Sequence, residues 1–354
     1  MTRVEIAGIG IHPFGRFEGV TVTDMGVQAV RDALRDAGDP AFTAAFCGTA
    51  YSGVAAGHKV LGAIARTGMP IVDVEAGCAS GAAALQLAAG AIRAGQHESV
   101  LVFGIEKMPK GIIRSSFFEP WREQAGLAAT PSYFALRAQR LLREHGLTKQ
   151  HLAQVCVKNR AHGVHNPHAM FRKPVTADEV LASRMVCEPL HLWMLCSPNE
   201  GAAAVVLRAS DAPAIELRAA ALRSHLPGSV LGEATPMAGI DDTDITPPST
   251  LAARQAYEEA GVGPDDLDLV ECQDTDAARE LLSYEELGLC PAGDSPGLLR
   301  DGATALGGSI PVNVSGGLLS KGEPLGASAL GQVVEVVRQL RGEAGPRQIE
   351  GARV

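Results

Sequence analysis

The residue of this 354-residue chain best placed for covalent chemistry is Cys78, in the run Gly77-Cys78-Ala79-Ser80-Gly81. It follows a short strand-like run at 71–75 and opens a helical run of small residues at 77–94. A thiol at a helix N-terminus feels the positive end of the helix dipole, which favours thiolate. A thiolate is a good nucleophile for acyl transfer. The plainer reading is a small buried cysteine. Small residues on both sides leave room for a ligand and favour the catalytic reading.

Other groups carry weaker signals. His162, His165 and His168 recur every three residues, but Pro167 interrupts any helix that would bring them together, and no metal site is expected. Gly8, Gly10 and Gly15 do not make a dinucleotide fingerprint, and residues 316–322 (GGLLSKG) lack the order of a phosphate loop. Gly316, Gly317 and Gly322 read instead as places where backbone approaches a pocket, with Ser315 and Pro324 beside them. Asn313-Val314-Ser315 has the form of a glycosylation site, without meaning in a cytosolic protein. The acidic run at 241–244 reads as a solvated loop, and His58 as a surface group or one near the pocket.

The elements that must position Cys78 alternate. Strand-like runs occupy 4–9, 71–75 and 99–106, with helical spacing at 23–37 and 77–94. This is βαβ organisation with a parallel sheet. Residues 111–197 differ: they carry both Trp, and their helices at 133–145 and 149–160 sit among irregular stretches. They read as a loop domain inserted into an N-terminal half made of 1–110 and 198–210. The alternation then returns, with strands expected at 201–207, 215–219, 267–271 and 310–313 and helices at 249–260, 277–287 and 325–340. Residues 211–354 thus repeat the first plan, giving two pseudo-symmetric α/β halves.

Composition excludes several classes. A net charge of −9 argues against a nucleic-acid binder, whose affinity comes from basic surface. No apolar run approaches the roughly 18–20 residues of a membrane span, and the N-terminus carries no signal pattern. The seven Cys have no CxxC spacing and read as reduced thiols of a cytoplasmic protein.

Several stretches, in order along nearly the whole chain, resemble the thiolase superfamily, in particular sterol-carrier-protein-type thiolases and thiolase-like lipid-transfer proteins. They are VEAGCASGAAAL around Cys78, LVFGIEKM at 101–108, HLAQVCVKNRAHGVHNPHAMF at 151–171, ELLSYEELGLC at 280–290 and NVSGGLLSKGEPLGAS at 313–328. The resemblance implies an α-β-α-β-α layered fold, a homodimer, Cys78 as acyl carrier, and a coenzyme A thioester as substrate with no bound cofactor.

The departures from that family concern proton transfer. The family's Gly-His-Pro is Gly322-Glu323-Pro324 here. An imidazole takes a thiol proton and then offers N–H to an oxyanion, whereas a carboxylate only accepts and raises the thiol pKa by like-charge repulsion. Glu323 can donate only if burial keeps it protonated. Where relatives have His-Asp-Ala/Cys-Phe, this chain has Gln273-Asp274-Thr275-Asp276. Gln273 donates an amide N–H but does no acid–base work, and Asp276 makes the pocket wall more polar. The family's final Cys-x-Gly strands are not found before Val354, so a truncated chain, or a partner that completes the sheet, is expected.

Three readings follow: an acyltransferase or carbon–carbon bond enzyme working through Cys78 with Glu323 and Gln273; a retro-aldol lyase on a coenzyme A ester with a small OB-fold partner, using Glu323, Asp276 or Tyr284; and a non-catalytic acyl-CoA-binding subunit.

Overall fold

The computed structural model describes residues 2–111, 120–125, 130–227 and 245–354. The acidic run at 241–244 lies outside the described residues. The strands are β1 (Val4–Gly15), β2 (Ala44–Gly48), β3 (Ile71–Val74), β4 (Ser99–Lys107), β5 (Met185–Cys187), β6 (Leu190–His191) and β7 (Glu200–Ala209). The helices of the first half are α1 (Val22–Asp36), α2 (Ala56–Gly62), α3 (Ser80–Arg93), α4 (Pro120–Gln124), α5 (Thr130–Glu144), α6 (Lys149–Gly163) and α7 (Ala177–Ala182). Those that follow are α8 (Pro248–Ala260), α9 (Ala277–Glu286), α10 (Ser295–Arg300), α11 (Gly317–Lys321) and α12 (Leu325–Arg341).

Local chemistry sets several of these boundaries. Thr21 accepts from the Asp24 amide at 3.1 Å while the Asp24 carboxylate accepts from the Thr21 amide at 3.0 Å, a reciprocal cap that starts α1. Gly261 and Gly342 adopt the left-handed conformation that ends α8 and α12.

The main sheet runs β1-β7-β4-β2-β3. β2 lies parallel to β3 and β4, whereas β7 is antiparallel to both its neighbours. The sheet is therefore mixed, not wholly parallel. α1 and α2 cover one face, and α3 and α12 the other. A further core joins α5, α6 and α9 to Val270 and Val312. The buried side chains of residues 135–194 thus share a core with C-terminal residues.

The C-terminal strands differ from the sequence expectation. Residues 267–271 and 310–313 meet in one parallel bridge, Val270 to Val312, and 215–219 in one bridge, Glu216 to Glu5. A bridge lengthens into a ladder only where two segments go on exchanging backbone hydrogen bonds, and here each pair exchanges two: Val270 N to the Pro311 oxygen and Asn313 N to the Val270 oxygen in one, Ile6 N to the Ile215 oxygen and Leu217 N to the Val4 oxygen in the other.

The first turn of α12 lies directly against the sheet and α3. A Cβ on Gly104 would stand 2.0 Å from the Gly326 carbonyl oxygen, and one on Gly326 would stand 2.4 Å from the Gly48 oxygen. One on Gly81 would stand 2.8 Å from the same Gly326 oxygen. Backbone touches backbone there, so only glycine fits. Gly104→Ala must push α12 off the sheet and is expected to destabilise the fold by about 3 kcal/mol, read from urea unfolding. Gly90→Ala, in α3 with open space at the Cβ position, should instead stabilise by about 0.5–1 kcal/mol.

Candidate active site

Cys78 sits on the turn between β3 and α3. Gly77 takes φ 57°, a conformation that favours glycine. The turn is tied on both sides: the Gly77 amide donates to Glu75 Oε1 at 2.8 Å, the Ala76 amide to Ser80 Oγ at 2.9 Å, and Ser80 Oγ to the Gly77 carbonyl at 2.6 Å. The thiol is thereby presented at the wall of a cavity of about 840 Å³. That size suits a small-molecule ligand.

Glu323 lies opposite, on the loop between α11 and α12. Its side chain is buried and gathers two donors. Gln273 Nε2 donates to Oε1 at 2.7 Å and Cys196 Sγ to Oε2 at 3.1 Å. Cys78 lines the same cavity, near enough for the carboxylate charge to act on its thiol. All four side chains line the cavity. The backbone enforces the grouping: the Glu323 amide donates to the Ser197 carbonyl at 2.9 Å and the Cys196 amide to the Thr275 carbonyl at 2.9 Å. Residues 195–198 thus thread between the Gln273 and Glu323 loops and hold them together.

Burial pushes Glu323 above its ordinary value, against the lowering effect of its thiol and amide donors. Burial and then the Glu323 charge push the Cys78 thiol well above its ordinary value. Cys196 rises for the same two reasons. The helix dipole therefore does not make Cys78 a resting thiolate, because desolvation and a facing carboxylate outweigh it. The site sets two thiols beside one carboxylate, and Cys196 donates to it.

The other residues expected to shape the pocket hold it from behind. Asp274 is buried, accepting from the Leu318 and Leu319 amides at 2.6 and 3.1 Å and from Asn159 Nδ2 at 2.9 Å. It therefore caps α11. Gly317 lies against that carboxylate, with a Cβ position 2.2 Å from Asp274 Oδ2. Gly316 packs on Gly163, and Gly322 on the Asn199 amide. Ser315 Oγ donates to Glu271 at 2.5 Å, and Pro324 precedes the first turn of α12.

Two expectations are corrected. Asp276 does not make the cavity wall polar: its Oδ1 caps α9 through the Ala278 and Arg279 amides, both at 3.0 Å, and its Oδ2 pairs with buried Arg137. Tyr284 is also wholly buried, donating to Glu280 Oε1 at 2.5 Å, and is not a cavity proton carrier. Among the histidines, His162 uses both ring nitrogens, on the Asn313 carbonyl and the Leu306 amide, and His58 is exposed on α2. Among the described residues no group of three or more His, Cys, Asp or Glu could hold a metal ion. No helix there is long and apolar enough to cross a membrane. Cys196 is the site residue that sequence reasoning missed. Its one local signal is a second thiol just before the Ser197-Pro198-Asn199 turn into β7.

The mixed sheet with paired central helices and a cysteine at the opening of one of them is the thiolase fold. Residues 4–211 match the family described as "Thiolase, N-terminal domain" and 233–354 that described as "Thiolase C-terminal domain-like". The chain belongs to the thiolase superfamily, and within it to the sterol-carrier-protein-type branch. It is 35% identical over 380 residues to sterol carrier protein 2 of Bos taurus, spanning 99% of this chain and 69% of that one. It is 36% identical over 374 residues to an acetyl-CoA acetyltransferase of Methanothermobacter thermautotrophicus, spanning 100% of this chain and 95% of that one. A solved structure titled "Ltp2-ChsH2(DUF35) aldolase" superposes with a TM-score of 0.82 at 26% identity, covering 97% of this chain and 91% of that one.

The Asp276–Arg137 pair is testable. Asp276→Ala removes a cap and leaves a buried guanidinium without its carboxylate, and should destabilise by about 3–5 kcal/mol in urea unfolding. Asp276→Asn keeps an acceptor for the cap and should lose less.

Proposed function

We propose that the protein transfers acyl groups from coenzyme A thioesters through an acyl-Cys78 intermediate, with Glu323 moving the proton. The observation that carries this reading is the buried Glu323 carboxylate, which lines the same cavity as the Cys78 thiol and acts on it electrostatically. Ionised Glu323 accepts the Sγ proton as sulfur attacks the thioester carbonyl. The bond from that carbonyl to the coenzyme A sulfur then breaks, and the departing thiolate recovers the proton from Glu323. Gln273 keeps the carboxylate aimed at the thiol. The site differs from a thiolytic one in lacking an imidazole. A base raised toward neutral by burial narrows the pKa gap to a thiol and suits the task. A homodimer in the cytoplasm that needs no bound cofactor, with a C-terminal half at 211–354 beside an N-terminal half at 1–110 and 198–210 and an inserted 111–197, completes the proposal.

A second reading has specific support. The aldolase in that solved structure and the high Cys78 pKa both suit a retro-aldol lyase acting on a coenzyme A ester with a small OB-fold partner. Glu323 would then take the β-hydroxyl proton, the carbon–carbon bond would break to a carbonyl and an ester enolate, and Cys78 would be dispensable. With Tyr284 and Asp276 engaged elsewhere, Glu323 alone of the three candidates faces the cavity.

Intact-mass spectrometry with a panel of acyl-CoA thioesters tests the first reading. The expected result is a mass gain equal to the acyl group, absent from Cys78→Ala. Because the base must be ionised, acylation should be lost as pH falls through the raised pKa of Glu323, above the ordinary carboxylate range. Glu323→Gln should remove that limb and slow acylation by about 10²–10⁴-fold. No adduct, together with cleavage of a β-hydroxyacyl-CoA that survives in Cys78→Ala, would sink acyl transfer and establish the lyase.

A further inference from the structure

The cations of the cavity wall that are withdrawn from solvent are paired, with one exception. Arg137 is paired with Asp276, Arg279 with Glu286, and Arg16 with Glu200. Arg160, on α6, is only 7% exposed and also lines the cavity. Among the described residues it makes no ion pair and no hydrogen bond. Its Nε is buried without a partner, and its contact is with the Phe171 ring, 4.0 Å from the guanidinium carbon to the ring centroid. Burial pushes its pKa down, and no carboxylate pushes it back. A guanidinium remains charged in proteins and carries five donors in a fixed fork. Stacking on a ring covers part of that group and satisfies none of the donors. A buried, unpaired cation is costly unless a ligand supplies the anion.

We propose that Arg160 is the receptor for a carboxylate on the acyl group, so that the preferred substrates are coenzyme A thioesters of dicarboxylic acids. A planar fork that donates two parallel hydrogen bonds matches a carboxylate. The phosphates of coenzyme A have other cations to meet, because Lys110, Arg184 and Arg223 are exposed along the same cavity. A single buried charge suits a single carboxylate better than a multiply charged nucleotide, whose hydration it would have to replace. The carrier of the carboxylate rests on the acyl-CoA reading above; the anion receptor itself does not.

Calorimetric titration in a Cys78→Ala background, which prevents acyl transfer, tests the proposal. The probes are succinyl-CoA against butyryl-CoA, adipyl-CoA against hexanoyl-CoA, and free coenzyme A. Each pair differs only by a terminal carboxylate in place of a methyl. The carboxylated member should bind about tenfold tighter or more at one or both lengths. Arg160→Gln should abolish that preference, and Arg160→Lys should keep part of it. Thermal midpoints of both variants check folding. No preference in the parent protein, or a preference that persists in Arg160→Gln, overturns the proposal. So does an equal loss for every ligand including free coenzyme A, which would assign Arg160 to a phosphate. If no coenzyme A ligand binds, free succinate separates the cases. Stabilisation that Arg160→Gln abolishes leaves the carboxylate receptor standing and sinks the acyl-CoA reading, whereas no stabilisation sinks both.

Discussion

The site depends on one contact of backbone with backbone. Gly326, in the first turn of α12, rests on Gly104 of β4, Gly48 of β2 and Gly81 of α3 with no room for a Cβ between them. Glu323 leads directly into that turn, and Cys78 leads directly into α3. Fixing the two helices against the same sheet strands fixes the carboxylate against the thiol. The small-residue runs of α3 and α12 are therefore geometric requirements, because side chains of ordinary size would separate the two groups.

Behind the cavity lies a layer of buried charge whose ionisable members are paired. Glu280 accepts from Lys158, Asn159, Asn313 and Tyr284, and Asn159 also donates to Asp274, which caps α11. These groups hold the loops that carry Gln273 and Glu323 without touching the cavity. A charge buried in such a layer is costly unless it is paired. Arg160 stands out against that background because its compensation is missing from the described residues.

Exchanging an imidazole for a carboxylate changes what the site can do at rest. A neutral or charged imidazole beside a thiol lowers the barrier to thiolate. A buried carboxylate raises the thiol pKa and is itself raised, so both groups hold their protons more tightly. The second thiol, Cys196, gives Glu323 another donor and helps keep it aimed. On the acyl-transfer reading proposed above, a proton would move from sulfur to carboxylate as substrate arrives, in place of a thiolate formed in advance.

Much of this was legible in the residues. Small residues and a glycine around Cys78 define a strand–turn–helix that presents a thiol, helix boundaries follow local capping, and Glu323 and Gln273 stand out by type in their motifs. These features are local, and a chain of the right pattern has few other ways to satisfy them. The tertiary structure alone decided what each group meets. Cys196 reaches Glu323 across 127 residues, Asp276 turns from the wall to Arg137 across 139, and Tyr284 turns inward to Glu280. It also decided that the C-terminal strands shorten to bridges and that Arg160 is left without a carboxylate. Periodicity and spacing report which face of an element is apolar. They do not report which distant polar group lies opposite, because that is fixed only when the elements pack and each buried charge must find its partner.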